Sequence, residues 1–275
     1  MRGRRVNYWA VSVIGGACFL AGLLAANLTL AQESVSVRAL LIEGEIPDDP
    51  AAAEWDKVPL GTFPLAPQVH WPDRILEVTV KDVRVRAMHN GERIAIMLEY
   101  QDPTRDPHDA AALEFMVGDQ KAHFAHGQEM LQVEGGPVNI WFWKNKNHKA
   151  LDMSAKGFGT LKVQDKQDVT ATGVYQDGAW RVVFVRALQT GDEEHDAQIR
   201  PGEFINIAFA IWDGKLLDSG DLKEKGSQKA VSSWWYFRAE PGADYFPYVY
   251  AVLAIGLAVG LEMVVVRKLK KGSPV

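Results

Sequence analysis

Cysteine is all but missing from this sequence. One occurs in 275 residues, Cys18, and it lies within an apolar run near the start. A disulfide framework inside the chain is therefore excluded, as are cysteine-held zinc ribbons and iron–sulfur clusters. A Cys-x-x-Cys-His attachment motif is excluded for the same reason. An excess of positive charge is missing too. The 30 Lys and Arg stand against 35 Asp and Glu, a formal net charge of −5. No basic field argues for nucleic acid. The sequence has no internal repeat, no low-complexity tract, no phosphate-cradling glycine loop and no Ser-His-Asp elbow. No long amphipathic helix stands out.

Long apolar runs occur only near the ends. A basic start, Arg2-Gly3-Arg4-Arg5, precedes a run from Tyr8 to Ala31. Its length matches a membrane span, for which roughly 20 apolar residues are needed, while Thr29-Leu30-Ala31 offers a cleavage site. Residues 1–33 thus read as a signal anchor or a signal peptide. A second run, from about Tyr245 to Val266, is followed by Arg267-Lys268-Leu269-Lys270-Lys271. We expect a transmembrane helix over 244–267 and a basic cytoplasmic tail over 268–275, by the positive-inside rule. Glu262 falls near the basic end of that helix, placed to reach the interface or a partner helix. The domain between, 34–240, is then exported, most simply to a periplasm.

That domain reads as strands. Short alternating or β-branched runs recur at Ser36 to Ile42, Glu77 to Met88, Arg93 to Tyr100, Ala179 to Leu188, Glu203 to Trp212 and Lys229 to Arg238. Turn signals separate them, among them Asn90-Gly91, Gln176-Asp177-Gly178 and Asp213-Gly214. His108 to Glu114, after Pro107, predicts a short helical turn at most. The expected fold class is all-β: an antiparallel β-sandwich flanked by N- and C-terminal transmembrane helices.

Large flat side chains concentrate in two places. Trp141 and Trp143 share a face if their segment is a strand, and so do Trp234 and Tyr236. By themselves such pairs read as sandwich core.

Several segments together resemble the haem b subunits of the ethylbenzene dehydrogenase-like family, the gamma subunits that accompany molybdenum enzymes of the dimethyl sulfoxide reductase type. These are Asp48 to Leu60, Val85 to Gly91, Leu98 to Asp102, Gly136 to Lys144, Trp180 to Leu188, Ile207 to Gly214 and Gln228 to Trp235. The resemblance implies an electron-transfer subunit that does no bond chemistry itself. It implies haem b held by a methionine and a lysine. Met130 precedes the Pro-Val-Asn-Ile-Trp motif, with Met116 and His126 as alternatives, and Lys229 precedes Ala230-Val231-Ser232. A ligating lysine must be neutral, which requires burial. Phe124, Trp141, Trp143 and Trp234 are the expected walls of a dry slot. Arg181, Arg186 and Lys144 are the expected partners for propionates. Molybdenum and iron–sulfur subunits, or another membrane redox complex, are the implied partners, with a cytochrome or membrane carrier as the exchange partner for electrons.

Other readings stand beside this one. The same sandwich without haem would serve as a carbohydrate-binding module or as a scaffold subunit. His123 with His126, or His108 with Asp109, read as a metal site or as loop histidines. Glu193-Glu194-His195-Asp196 reads as a solvated turn or a calcium site.

Overall fold

The computed structural model describes residues 36–68, 77–122, 135–156, 160–215, 229–242 and 246–271. The chain divides into two units, Met1–Ala239 and Glu240–Val275. In the first, fourteen strands follow in order: β1 (Ser36–Leu41), β2 (Gly61–Pro64), β3 (Ala66–Pro67), β4 (Asp82–His89), β5 (Arg93–Gln101), β6 (Ala110–Met116), β7 (Pro137–Lys144), β8 (Lys149–Lys156), β9 (Lys162–Val163), β10 (Thr170–Gln176), β11 (Ala179–Ala187), β12 (Phe204–Trp212), β13 (Ala230–Val231) and β14 (Trp235–Ala239).

Hydrogen bonds join the strands in the order β10-β11-β5-β4-β1-β14-β12-β6-β7-β8-β9, with β2, β3 and β13 attached at the side. Most pairs are antiparallel. The exception is β1, which runs parallel to both of its neighbours, β14 and β4. The Asn90-Gly91 turn forms as expected, with Gly91 at φ 92°. Asp177 and Gly178 both take positive φ, 52° and 75°, at the tight turn between β10 and β11.

The sheet folds over on itself. The Trp143 ring of β7 meets the Trp180 ring of β11 edge-on at 5.1 Å. Gly173 of β10 admits this contact, since a Cβ there would lie 2.2 Å from a Trp143 ring carbon. One large core fills the space between, drawing on Val37, Leu98, Phe115, Trp141, Phe184 and Phe209. A smaller core on the other face of β4, β5 and β11 packs Met88, Met97 and Val183 under Trp55. The all-β sandwich expectation therefore fits.

Two expectations are corrected. His108 to Glu114 holds strand β6, not a helical turn, because two neighbouring strands complete its hydrogen bonds and sheet context overrides the helix preference of alanine. The flanking transmembrane helices are not supported. The C-terminal residues do form a helix, α1 (Phe246–Lys271), with exposed apolar side chains. Yet among the described residues no helix is long and apolar enough to cross a membrane. The uncharged stretch before Glu262, Phe246–Leu261, falls short of the roughly 20 residues a span requires. The N-terminal apolar run lies outside the described residues.

Candidate functional site

Strand alternation sends every second side chain of β12, β6, β7 and β8 away from the large core. On this outer face Ala110 lies opposite Trp212, Ala112 opposite Ala210, and Glu114 opposite Ala208. Phe142 and Ile140 of β7 continue the rows beside Ala112 and Glu114, and Leu151 and Met153 of β8 follow. Ala110, Ala112 and Ala208 are buried, although they belong to neither core. The result is an alanine-floored trough flanked by half-buried Phe142, Trp212, Ile140, Met153 and Met116.

Lys229 stands at the Trp212 end. The backbone fixes its position. Its carbonyl accepts from the Gln68 amide at 3.2 Å, and the next two residues pair with β12 on one side and β3 on the other. Ser232 completes the clamp, donating its amide to the Phe209 carbonyl and accepting the Phe209 amide on Oγ, each at 2.9 Å. The ammonium group of Lys229 lies 5.0 Å from the Trp212 ring centroid, a cation–π arrangement. Trp212 in turn meets Phe142 edge-on at 5.4 Å.

Glu114 is the charged partner in the trough. Burial pushes the Lys229 amine below the usual lysine range, and the negative charge of Glu114 partly restores it. Burial pushes the Glu114 carboxyl up, and the charge of Lys229 opposes that. A lysine so placed gives up its proton more readily than a solvated one, which is the condition for donating its lone pair to a metal.

Two of the tryptophans expected as slot walls face the core. Trp141 and Trp143 point inward and are fully buried. Trp141 packs on Phe115 at 4.8 Å and donates its indole N–H to Asn139 at 2.9 Å. The walls of the trough are their neighbours in sequence, Ile140 and Phe142.

Arg186 is also inside. It stacks on Trp141 at 4.7 Å and donates to the Asn139 side chain at 2.8 Å, to the Ala187 carbonyl at 3.1 Å and to the Ala197 carbonyl. Asn139 donates to Asp152 at 2.7 Å, and Gln164 bridges Asp152 and Asp196 at 3.2 and 3.0 Å. Asp196, expected in a solvated turn, is thus part of a buried network. Burial raises the Asp152 carboxyl to about 6. Arg181 lies half-exposed on β11, where it pairs with Glu99 at 2.9 Å, while Arg84 pairs with the same carboxylate. Trp234 is half-buried between β13 and β14. Met116 is on the trough face of β6, two residues beyond Glu114. Phe124, Met130, His123 and His126 lie outside the described residues.

Of the expected residues, the structure brings Lys229, Met116 and Lys144, which pairs with Ala110, to one face, and Trp141 and Arg186 together on the other. Glu114, Phe142 and Trp212 are additions. The alternation of β7 and β12 carried the signal for the last two.

The family model described as ethylbenzene dehydrogenase matches residues 159–224. A respiratory nitrate reductase heme subunit, ORF7, of Haloferax mediterranei is 26% identical over 249 residues, covering 87% of this chain and 86% of that protein. The gamma subunit of dimethylsulfide dehydrogenase from Rhodovulum sulfidophilum is 29% identical, covering 82% and 89%. The gamma subunit of chlorate reductase from Ideonella dechloratans is 28% identical, covering 78% and 89%. Among solved structures, a family 9 carbohydrate binding module from Caldicellulosiruptor kristjanssonii, in complex with glucose, aligns with 76% of this chain and 97% of its own. Its TM-score is 0.43 at 7% identity. That likeness is too weak to bear on ligand.

Proposed function

We propose that this chain is a member of the ethylbenzene dehydrogenase family and the haem-bearing gamma-type subunit of an oxidoreductase complex exported from the cytoplasm, a reading supported by the family match and the three relatives. Its cofactor is haem b and its role is electron transfer. Its partners are the catalytic molybdenum and iron–sulfur subunits. The basic start and the apolar run that follows support placement on the periplasmic or outer side of the membrane.

The observation that carries the reading for this chain is Lys229, clamped by backbone between β3 and β12 at the end of an alanine-floored, aromatic-flanked trough. Such a trough fits a flat, mostly apolar macrocycle, and a partly desolvated amine fits one axial position. Lys229 and Met130 would hold the haem iron, with Met116, already on the trough face, and His126 as the alternatives to Met130. Haem b, when bound, supplies a one-electron couple whose potential an axial thioether raises. Trp212, backed by Phe142, covers the Lys229 amine, and burial loosens its hold on the proton. Glu114 sets how strongly the proton is held.

The test is spectroscopic. The purified full chain should give a b-type pyridine haemochrome near one haem per chain. Lys229→Ala should lose the haem or shift its reduced-minus-oxidised spectrum. An unchanged spectrum and content in that variant would remove Lys229 from the site. Met130→Ala and Met116→Ala, compared in the same way, assign the second ligand.

A further inference from the structure

We propose that the loop between β5 and β6, together with the end of β12, is a binding site for a hard divalent cation of the Ca²⁺ type, held by Asp102, Asp109 and Asp213. One carboxylate oxygen from each of the three lies within 4.8 Å of the others. Asp102 and Asp109 are fully buried and Asp213 is half-buried. Their hydrogen bonds come from the protein itself. Asp102 Oδ1 accepts from the Thr104 amide at 3.1 Å. Asp109 Oδ1 accepts from the Gly214 amide at 2.8 Å, and its Oδ2 from the Asp106 amide at 2.7 Å and the Trp180 indole at 3.0 Å. Asp213 Oδ1 accepts from the Lys215 amide at 3.0 Å.

Among the described residues, two buried oxygens at this place have no hydrogen-bond partner. One is Asp102 Oδ2. The other is the hydroxyl of Tyr100, a side chain only 1% exposed. Tyr100 lies directly across from Trp180, whose indole is bonded to Asp109. Burial first, and then the charges of Asp109, Asp102 and Asp213, push the Tyr100 hydroxyl well above its ordinary range. The charges acting on Asp102 are likewise those of other carboxylates, Asp109, Asp213 and Asp106. Two buried carboxylates with a third within 4.8 Å call for protons or a cation. An all-oxygen donor set selects a hard cation over zinc or copper, and backbone carbonyls or water complete the six to eight ligands of calcium.

The local backbone is shaped for this approach. A Cβ at Gly214 would lie 2.6 Å from the Asp109 nitrogen and 2.7 Å from the His108 carbonyl carbon, so only glycine lets β12 end against this loop. The ion would staple the β5–β6 loop to β12 at the end of the trough, since Asp213 follows Trp212 and Asp109 precedes Ala110, its cross-strand partner. The site stands on these residues whether or not the trough holds haem.

The full chain, stripped with chelator, is titrated with CaCl₂ by calorimetry and melted with and without the ion. One ion per chain should bind, and Tm should rise by roughly 5 °C or more at a hundredfold excess over the dissociation constant. Asp213→Asn and Asp102→Asn should each lose that rise while melting, in chelator, no lower than the parent. If Asp102→Asn fails to fold, Asp213→Asn decides alone, because its carboxylate bonds only a neighbouring amide in the described structure. No heat and no change in Tm at roughly 10 mM Ca²⁺, well above the range of weak extracellular sites, would overturn the proposal. So would a full response in Asp213→Asn.

Discussion

Glu114 and Lys229 show how two residues of opposite charge share one apolar trough and alter each other. Ionised Glu114 holds a proton on the lysine, which must leave before the amine ligates a metal. Glu114→Gln removes that hold. Haem uptake by the purified chain, followed against pH, should therefore persist to lower pH in Glu114→Gln than in the parent. Equal midpoints would mean that the two groups do not communicate. Lys229 was legible because the Lys-Ala-Val-Ser run has a known counterpart. Glu114 was not, since a strand glutamate facing a trough looks the same in sequence as one facing water. Asn139 belongs to this scale as well. It was read as part of a haem-side motif, but its amide joins Trp141, Arg186 and Asp152 in the core. Asn139→Ala leaves three buried polar groups short of a partner and should cost about 2–4 kcal/mol by urea denaturation.

At the level of strands, alternation decides which face a residue serves, and it exchanges every side chain on a shift of one position. Trp141 and Trp143 were read as sharing a face if their segment is a strand, and in β7 they do. The sequence did not say which face was core, because Ile140 and Phe142 are as apolar as the tryptophans. Burial settles it, with both tryptophans at 0% exposure. Ala210→Phe would fill the trough floor while leaving the core side of β12 untouched. It should abolish haem binding and change stability by less than about 1.5 kcal/mol. A variant that still binds haem would place the cofactor elsewhere. Asp152 links β8 to the segment leading into β10. Its folded pKa, about 6, lies above the ordinary carboxylate value, so the folded state holds this proton more tightly than the unfolded chain. Its contribution to stability is full at acidic pH and declines as pH rises from about 4 to 6. Asp152→Asn should flatten that part of the stability profile, measured by denaturant titration across the range.

For the molecule as a whole, closure depends on a few close approaches. Gly173→Ala would place a methyl group against the Trp143 ring where β10 crosses β7. It should lower stability by about 1–3 kcal/mol, read from the denaturation midpoint, with the spectrum of bound haem unchanged. The sandwich, its turns and strands such as β4, β5, β11 and β12 were legible because alternation and turn residues are local signals, whereas β6, β8 and β10, whose pairing comes from distant neighbours, were not. The acidic cluster was not, because Asp102 and Asp109 meet Asp213 only after more than 100 residues of intervening chain have folded. One feature of the topology bears on how the protein is made. β1 sits between β4 and β14, so the first strand described is held by the last. A growing chain cannot finish its sheet until residue 239 is available, and Lys229 arrives almost as late. Pairing across such sequence distance is slow to form. The sheet therefore closes only once the chain has been made as far as Ala239, and a chain released short of that residue would leave β1 paired on one edge alone.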